Sequence, residues 1–462
     1  MNRRWTQSPD HRWQSFAENK MTTLANYGGG KSTGLEQTAA GMIVTGFVPE
    51  YLAMTPEDRD VLRRLAARVA AIAATAEMAE TRRRWTQLNR LERTRPLVFC
   101  DPENGWSEII TETQMQCRGK LARRWEMDLR KDIFWGEVMG DDRPIDPYFN
   151  VPYTAAADDW GVEAVYHKGG AGGSYVWEGA IRDYATDLKK MHSPQVQIDW
   201  ETTKGCVHIA KDVFDDILSV RLKGVWWWSL GLTWPAAAAR GLQNMLCDFI
   251  EHPDELKELL SILSRGILDK LDYLEAHNLL SLNNDGTYVG SGGFGYTDEL
   301  PQSDFSGRVR TRDMWGFTES QETLNVSPKM YEQFIFPYEK PIMERFGLTC
   351  YGCCEPLHGR WHVVKQHPHL RRVSCSPWVD VEKMAVNLGN KYIFSMKPNP
   401  AALAVPQVDV DAIRRGIREN LEKTRNCVVE LIMKDNHTLA NRPENAVTWC
   451  RIAKEEAEKF SP

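Results

Sequence analysis

From residue 96 onward the chain alternates short apolar runs with longer amphipathic stretches. The apolar runs are "PLVFCD" (96–101), "KGVWWWSL" (223–230), "LLSLNND" (279–285), "MWGFTESQE" (314–322), "LTCYGCCE" (348–355), "RRVSCSP" (371–377), "KYIFSMKP" (391–398) and "VVELIMKD" (428–435). Each is strand-length, and each ends in polar residues. The text between them, such as "SPKMYEQFIFPYEKPIMERFG" and "DVDAIRRGIRENLEKTRN", reads as helix. Strands alternating with helices predict an α/β fold with a parallel sheet and helical crossovers. Eight such units predict a closed (β/α)8 TIM barrel. The last five units are regular. The first three are stretched by insertions, one of which, "HKGGAGGSYVWEG", reads as a hairpin. A doubly wound open sheet is the alternative fold. It calls for a glycine-rich phosphate turn after an early strand, and the sequence has none.

Ahead of this pattern, residues 55–92 read as one long helix. Thr55 is its cap, and Asp58 follows at capping-box spacing. The expected organisation is therefore an N-terminal arm and helical extension over 1–94 and a barrel catalytic domain over 95–462. Within the arm, "GGGKST" resembles a phosphate loop only in passing. Such a loop needs another glycine five residues before Gly30, where Ala25 stands.

Composition narrows the function. Of 462 residues 42% are hydrophobic, enough for a large core. The formal net charge of −6 argues against nucleic acid or an acidic membrane as partner. No apolar run approaches the roughly 20 residues that cross a bilayer. The start, "MNRRWTQSPDHRWQSFAENK", has no apolar centre and does not read as a secretory signal. A cytoplasmic protein is expected. Ten cysteines in a chain of this length read as core residues or ligands rather than a disulfide scaffold. Seventeen tryptophans are read either as an aromatic core or as the lining of a pocket for a flat ligand.

In a barrel the chemistry sits where the strands end. The polar residues there are Asp101 and Glu103; Asn283, Asn284 and Asp285; Glu319, Gln321 and Glu322; Cys353, Cys354 and Glu355; Cys375 and Ser376; Lys397 and Asn399; and Lys434, Asp435, Asn436 and His437. Any one of them can be a cap for the next helix. Lys397 and Lys434 do not suit that role, and point to an anionic group or paired carboxylates. In "LTCYGCCEPLHGRWH" alternation along a strand turns Cys350 away from the face of Cys353, so that Cys353, Cys354 and Glu355 face a ligand. Cys353 or Cys354 with Cys375 and His437 make a set suited to zinc with an open position; the bland reading makes the cysteines small pocket-lining residues. "VWWWSLGLTW" should bring tryptophans such as Trp227 and Trp228 to the mouth. The loop "YVGSGGFGYTDELP" (288–301) reads as a mobile or closely approaching cover over a ligand, or as a structural turn.

Over residues 90–460 the order of elements, with "RPLVFCDPENGW", "YGCCEPLHGRW", "SPWVDVEKMAVNLGNKYIFSMKPNP" and "ELIMKDNHTL", resembles the uroporphyrinogen decarboxylase superfamily. It is similar to the branch with corrinoid-dependent methyltransferases and, more remotely, to cobalamin-independent methionine synthase. The resemblance implies transfer of a methyl group from an O-methyl donor, such as a methoxy-aromatic, to a cobalt(I) corrinoid on a partner protein, as in an anaerobic O-demethylase. It implies zinc at Cys353, Cys354 and His437, although Tyr351 or Cys350 stands where that branch has the histidine of a His-x-Cys motif. Without zinc, Glu355, Asp435 or Glu322 would act as the acid. Asp101, Trp227, Trp228, Asn284, Lys397 and Lys434 would bind substrate. The expected partners are the corrinoid protein, the methyl donor and a second copy of the chain. The alternative is a decarboxylase of a small acidic substrate built around Asp101 and the two lysines.

Overall fold

The computed structural model describes residues 37–38, 41–42, 49–168 and 175–461, so that "GGGKST" and the tip of the 165–178 hairpin lie outside the described residues. The ten strands used below are β1 (Leu97–Cys100), β2 (Tyr148–Pro152), β3 (Val165–Lys168), β4 (Tyr175–Glu178), β5 (Ser219–Lys223), β6 (Trp315–Thr318), β7 (Leu348–Tyr351), β8 (Leu370–Cys375), β9 (Ile393–Met396) and β10 (Val428–Met433). Six of them form one parallel sheet in the order β1-β10-β9-β8-β7-β6. Its central strands are covered on both faces, which is why β10 reads as an apolar run interrupted only by Glu430. The expected hairpin forms, with β3 and β4 antiparallel.

Six of the eight expected strands are in that ladder; the second and third are not. Ser219–Lys223 pairs in parallel with Tyr148–Pro152, from what reads in the sequence as an insertion. The tryptophan run lies beyond the strand end. Residues 279–285 form no strand. Instead the Asn283 amide copies a peptide group: Nδ2 donates to the Trp315 carbonyl at 3.0 Å and Oδ1 accepts from the Trp315 N–H at 2.9 Å. The Gly224 N–H likewise donates to Ser281 Oγ at 2.9 Å. The opposite edge is capped in the same way. There Val98 N–H donates to Asp142 Oδ2 at 2.8 Å and Cys100 N–H to Asp141 Oδ2 at 3.0 Å. Side chains thus take over part of the bonding at both sheet edges, beside single backbone bonds from Leu230 N–H to the Phe317 carbonyl at 2.8 Å and from Asp142 N–H to the Val98 carbonyl at 2.7 Å.

The long N-terminal helix is two helices, α1 (Pro56–Ala73) and α2 (Ala76–Asn89). Thr75 causes the break, because its hydroxyl accepts from the Met78 N–H and caps α2. Both helices contribute to the same hydrophobic core as the sheet. Trp85 of α2 is buried, donates Nε1–H to the Asp142 carbonyl at 2.7 Å and meets the Phe294 ring edge-on at 5.0 Å.

The loop 288–295 packs onto one face of the sheet, its inner face, against Cys350, Arg372, Glu430 and Ile432. Val289 to Gly295 are all buried, and Tyr288 pairs with Phe294 across the loop. Glycine is required at its floor. A Cβ on Gly292 (φ +136) would lie 2.6 Å from Ile432, and one on Gly293 (φ +87) 2.8 Å from Arg372 and Glu430. Of the readings open to this loop, close approach is the one observed, although what it approaches is the sheet. Beneath it lies a fully buried ion pair. Arg372 Nε and Nη2 meet Glu430 at 2.9 and 3.1 Å, and Nη2 also donates to Asn89 Oδ1 at 2.7 Å. A buried pair of this kind persists only when its hydrogen bonds are satisfied.

Candidate active site

The tip of the loop, Ser291, meets the strand ends. Ser291 Oγ is 3.4 Å from Cys353 Sγ and 3.3 Å from Lys434 Nζ. Lys434 Nζ is in turn 3.3 Å from Asp435 Oδ1 and 5.6 Å from the centre of the Trp228 ring. Cys354 Sγ lies 3.6 Å from Cys353 Sγ and 3.8 Å from Asp435 Oδ2. Two backbone reversals make this possible. Gly352 has φ +94 immediately after β7 and Asp435 has φ +63 after β10.

The first reversal corrects the expectation for Cys350. Its thiol lies on the inner face, 3.8 Å from Arg372 Nη1 and against Gly290, while Cys353 touches the adjacent Ser291. Alternation would set the two cysteines on opposite faces, but the turn at Gly352 returns Cys353 to the side of Cys350.

Glu103 completes the cluster. It is buried, at φ +48, just beyond β1. Burial raises its carboxyl well above the usual range, Asp435 adds to this, and Lys434 opposes it. Burial and Asp435 thus both favour the neutral carboxylic acid over the carboxylate at Glu103. Lys434 is pulled down by burial, but Asp435, Cys353, Tyr288 and Glu103 outweigh that and hold the ammonium well above its ordinary range. Lys397 shows the opposite balance: burial draws it down to about 8, and Lys434 adds to the fall. The hydrogen bond with Cys353 and then burial raise the Cys354 thiol, which stays protonated.

Of the residues expected at the site, Cys353, Cys354, Asp435, Lys434 and Trp228 are brought together. Asp101 borders them, its Oδ1 accepting from the Glu103 N–H at 3.0 Å and from Trp106 Nε1 at 3.3 Å. Others have bracing roles. Glu355 accepts the N–H groups of Ser320 at 2.9 Å and Cys353 at 2.8 Å, tying two strand-end loops together. Its carboxyl is raised by burial and then by Glu319. Glu322 accepts from the Thr233 hydroxyl at 2.5 Å. Asn284 donates to the Leu300 carbonyl at 2.8 Å. Trp227 packs against Phe346 and lines a cavity of about 50 Å³ with Trp226, Trp228 and Met314. Glu103 and Ser376 stand out in the sequence only as polar rim residues, and Ser291 only as part of a glycine loop. The reversals that aim Glu103 and Cys353 inward carry no sequence signal beyond Gly352.

The zinc set does not assemble. His437 is exposed, and Cys375 is buried with its thiol turned to the Val373 carbonyl at 3.8 Å. Burial pushes Cys375 far up, away from thiolate. Among the described residues no three His, Cys, Asp or Glu side chains gather so as to hold a metal ion. The residues present do not fit the expected metal. Nor is any helix among the described residues long and apolar enough to cross a membrane.

No protein-family model and no curated protein matches the chain. Among solved structures, a methyltransferase from Methanosarcina mazei is similar at a TM-score of 0.46 and 12% identity, over 82% of this chain and 98% of that one.

Proposed function

We propose that this chain is a methyltransferase that moves a methyl group from an O-methyl donor to a cobalt(I) corrinoid carried by a partner protein. This reading treats the six paired strands, with 219–230 and 279–285, as the wall of a (β/α)8 barrel and the strand-end cluster as its active site. The observation that supports it most is Glu103, buried at the strand ends that carry Lys434 and Asp435, with a carboxyl that burial and Asp435 hold well above the usual range.

A methyl ether is a poor substrate for nucleophilic attack because its oxygen leaves as an anion. As the C–O bond breaks, an acid within reach can protonate that oxygen, and a nearby ammonium stabilises the charge that develops before the proton arrives. Glu103 is the acid and Lys434 the fixed cation. Asp435 and Ser291 hold Lys434 in place. Trp228 gives an aromatic ring a wall to lie against. The corrinoid, when docked, supplies the nucleophile, so that none of these side chains has to.

A carboxy-lyase acting on a small acid is the second reading, favoured by the buried Lys397. The same acid would then protonate a carbanion. One assay separates the two. Purified protein is incubated with 4-methoxybenzoate, with and without cob(I)alamin. A phenol product that appears only with cob(I)alamin supports methyl transfer. Carbon dioxide released without it would replace that reading with the carboxy-lyase.

A further inference from the structure

Lys397 is the second buried lysine at these strand ends. It is 5% exposed, and its ammonium donates to Ser395 Oγ at 2.5 Å. Among the described residues no carboxylate lies within ion-pairing distance of it, whereas Lys434 has Asp435 at 3.3 Å. A buried ammonium without an anion is costly, and such groups are normally paired. Beside it is a second unsatisfied group. Ser376 is 2% exposed, and its hydroxyl has no hydrogen-bond partner among the described residues.

The register places the two together. Cys375 pairs with Met396 and accepts the Lys397 N–H at 2.9 Å, so Ser376 and Lys397 are the first residues beyond adjacent strand ends. Ser374 pairs with Ser395. The Ser374 hydroxyl donates to the Cys353 carbonyl at 3.1 Å, which identifies the inner face. Two residues on, by alternation, Ser376 and Lys397 share that face. Glu430 acts on Lys397 from the buried ion pair, and Lys434 and Cys353 act on it from the cluster.

We infer that Lys397 and Ser376 form a subsite for a carboxylate of the substrate, and that the methyl donor is therefore an acid, such as a methoxy-aromatic carboxylate. A cationic and a neutral donor at neighbouring strand ends match the two oxygens of one planar, singly charged group. A phosphate would bring more charge and more acceptors than these two side chains serve. The inference rests on the strand-end cluster being the active site proposed above, but it is tested by binding alone, so its failure and that of methyl transfer are told apart.

The test compares 4-methoxybenzoate with its neutral counterpart, 4-methoxybenzamide, by calorimetry on the full chain. The acid should bind at least about tenfold more tightly, the size expected for one charge-assisted contact. Lys397→Met should abolish the preference, and Ser376→Ala should reduce it. Because burial draws Lys397 down to about 8, binding at that pH should take up roughly half a proton. On the wild-type protein, acetate, benzoate and 4-methoxybenzoate should also protect Lys397 from amine-directed labelling, read by peptide mass spectrometry. Equal binding of acid and amide, a preference that survives Lys397→Met, protection by inorganic phosphate as strong as by the acids, or no protection by any of the three acids at millimolar concentration would each overturn the assignment.

Discussion

Glu103 combines a left-handed backbone, a buried side chain and a carboxyl held well above the usual range by burial and by Asp435. A general acid works only while protonated, so activity should fall as pH rises through this raised value. Glu103→Gln should lower kcat by about a hundredfold or more while leaving KM for the donor nearly unchanged. It should also remove the alkaline fall from the pH–rate profile. A variant that keeps that fall would take the acid role from Glu103. At this scale the sequence was informative about chemistry and poor about direction. Lys397 and Lys434 are legible as lysines that cannot be helix caps. His437 and Glu103 are equally visible, yet a turn at Asp435 leaves His437 exposed while a turn at Glu103 takes its carboxyl inward. One positive φ reverses the side of a side chain, and neither aspartate nor glutamate announces it.

At the scale of elements, the glycine loop shows what pattern can and cannot carry. Its glycines mark close approach, but only the fold says that the sheet floor is what they approach. Gly293→Ala would force a Cβ to 2.8 Å from Arg372 and Glu430 at a φ of +87. It should cost about 2–4 kcal/mol in denaturant unfolding and displace Ser291 from Lys434. Gly307, with φ +96 and nothing within 4 Å of its would-be Cβ, is the control; Gly307→Ala should cost only about 1–2 kcal/mol. Equal losses would mean that backbone strain alone, and not the packed floor, decides. The expected strand at 279–285 failed for a related reason. Its apolar start suits a strand, but Asn283 and Ser281 make with side chains the bonds a strand makes with its backbone. Thr75 was hidden in an alanine-rich run that favours unbroken helix.

On the scale of the molecule, the parallel sheet was legible because each buried strand writes a short apolar run, whereas closure depends on edge contacts that leave no pattern. A second group of buried carboxyls lies behind the site. Burial, and then Glu319, hold Glu339 well above the usual carboxylate range. It accepts from the Tyr331 hydroxyl at 3.3 Å, and that hydroxyl is also 3.0 Å from His367, whose imidazole burial lowers to about 3 and so keeps neutral. A carboxyl raised in the folded state contributes stability that is complete below its unfolded pKa and lost as pH rises through the folded value. In that window the loss is about 1.4 kcal/mol per pH unit. Glu339→Gln should therefore be more stable than wild type in alkaline buffer and lose the advantage in mild acid, as read by urea melts across pH. A constant difference would point to packing instead. Asn89 is the last residue of α2. Its amide nitrogen holds the Phe294 and Tyr296 carbonyls at 2.8 and 2.7 Å, and its oxygen holds Arg372. A truncation that starts at residue 95 would look like a clean catalytic domain in the sequence. It would instead strip the bolt from beneath the loop that carries Ser291, and leave a buried guanidinium one acceptor short.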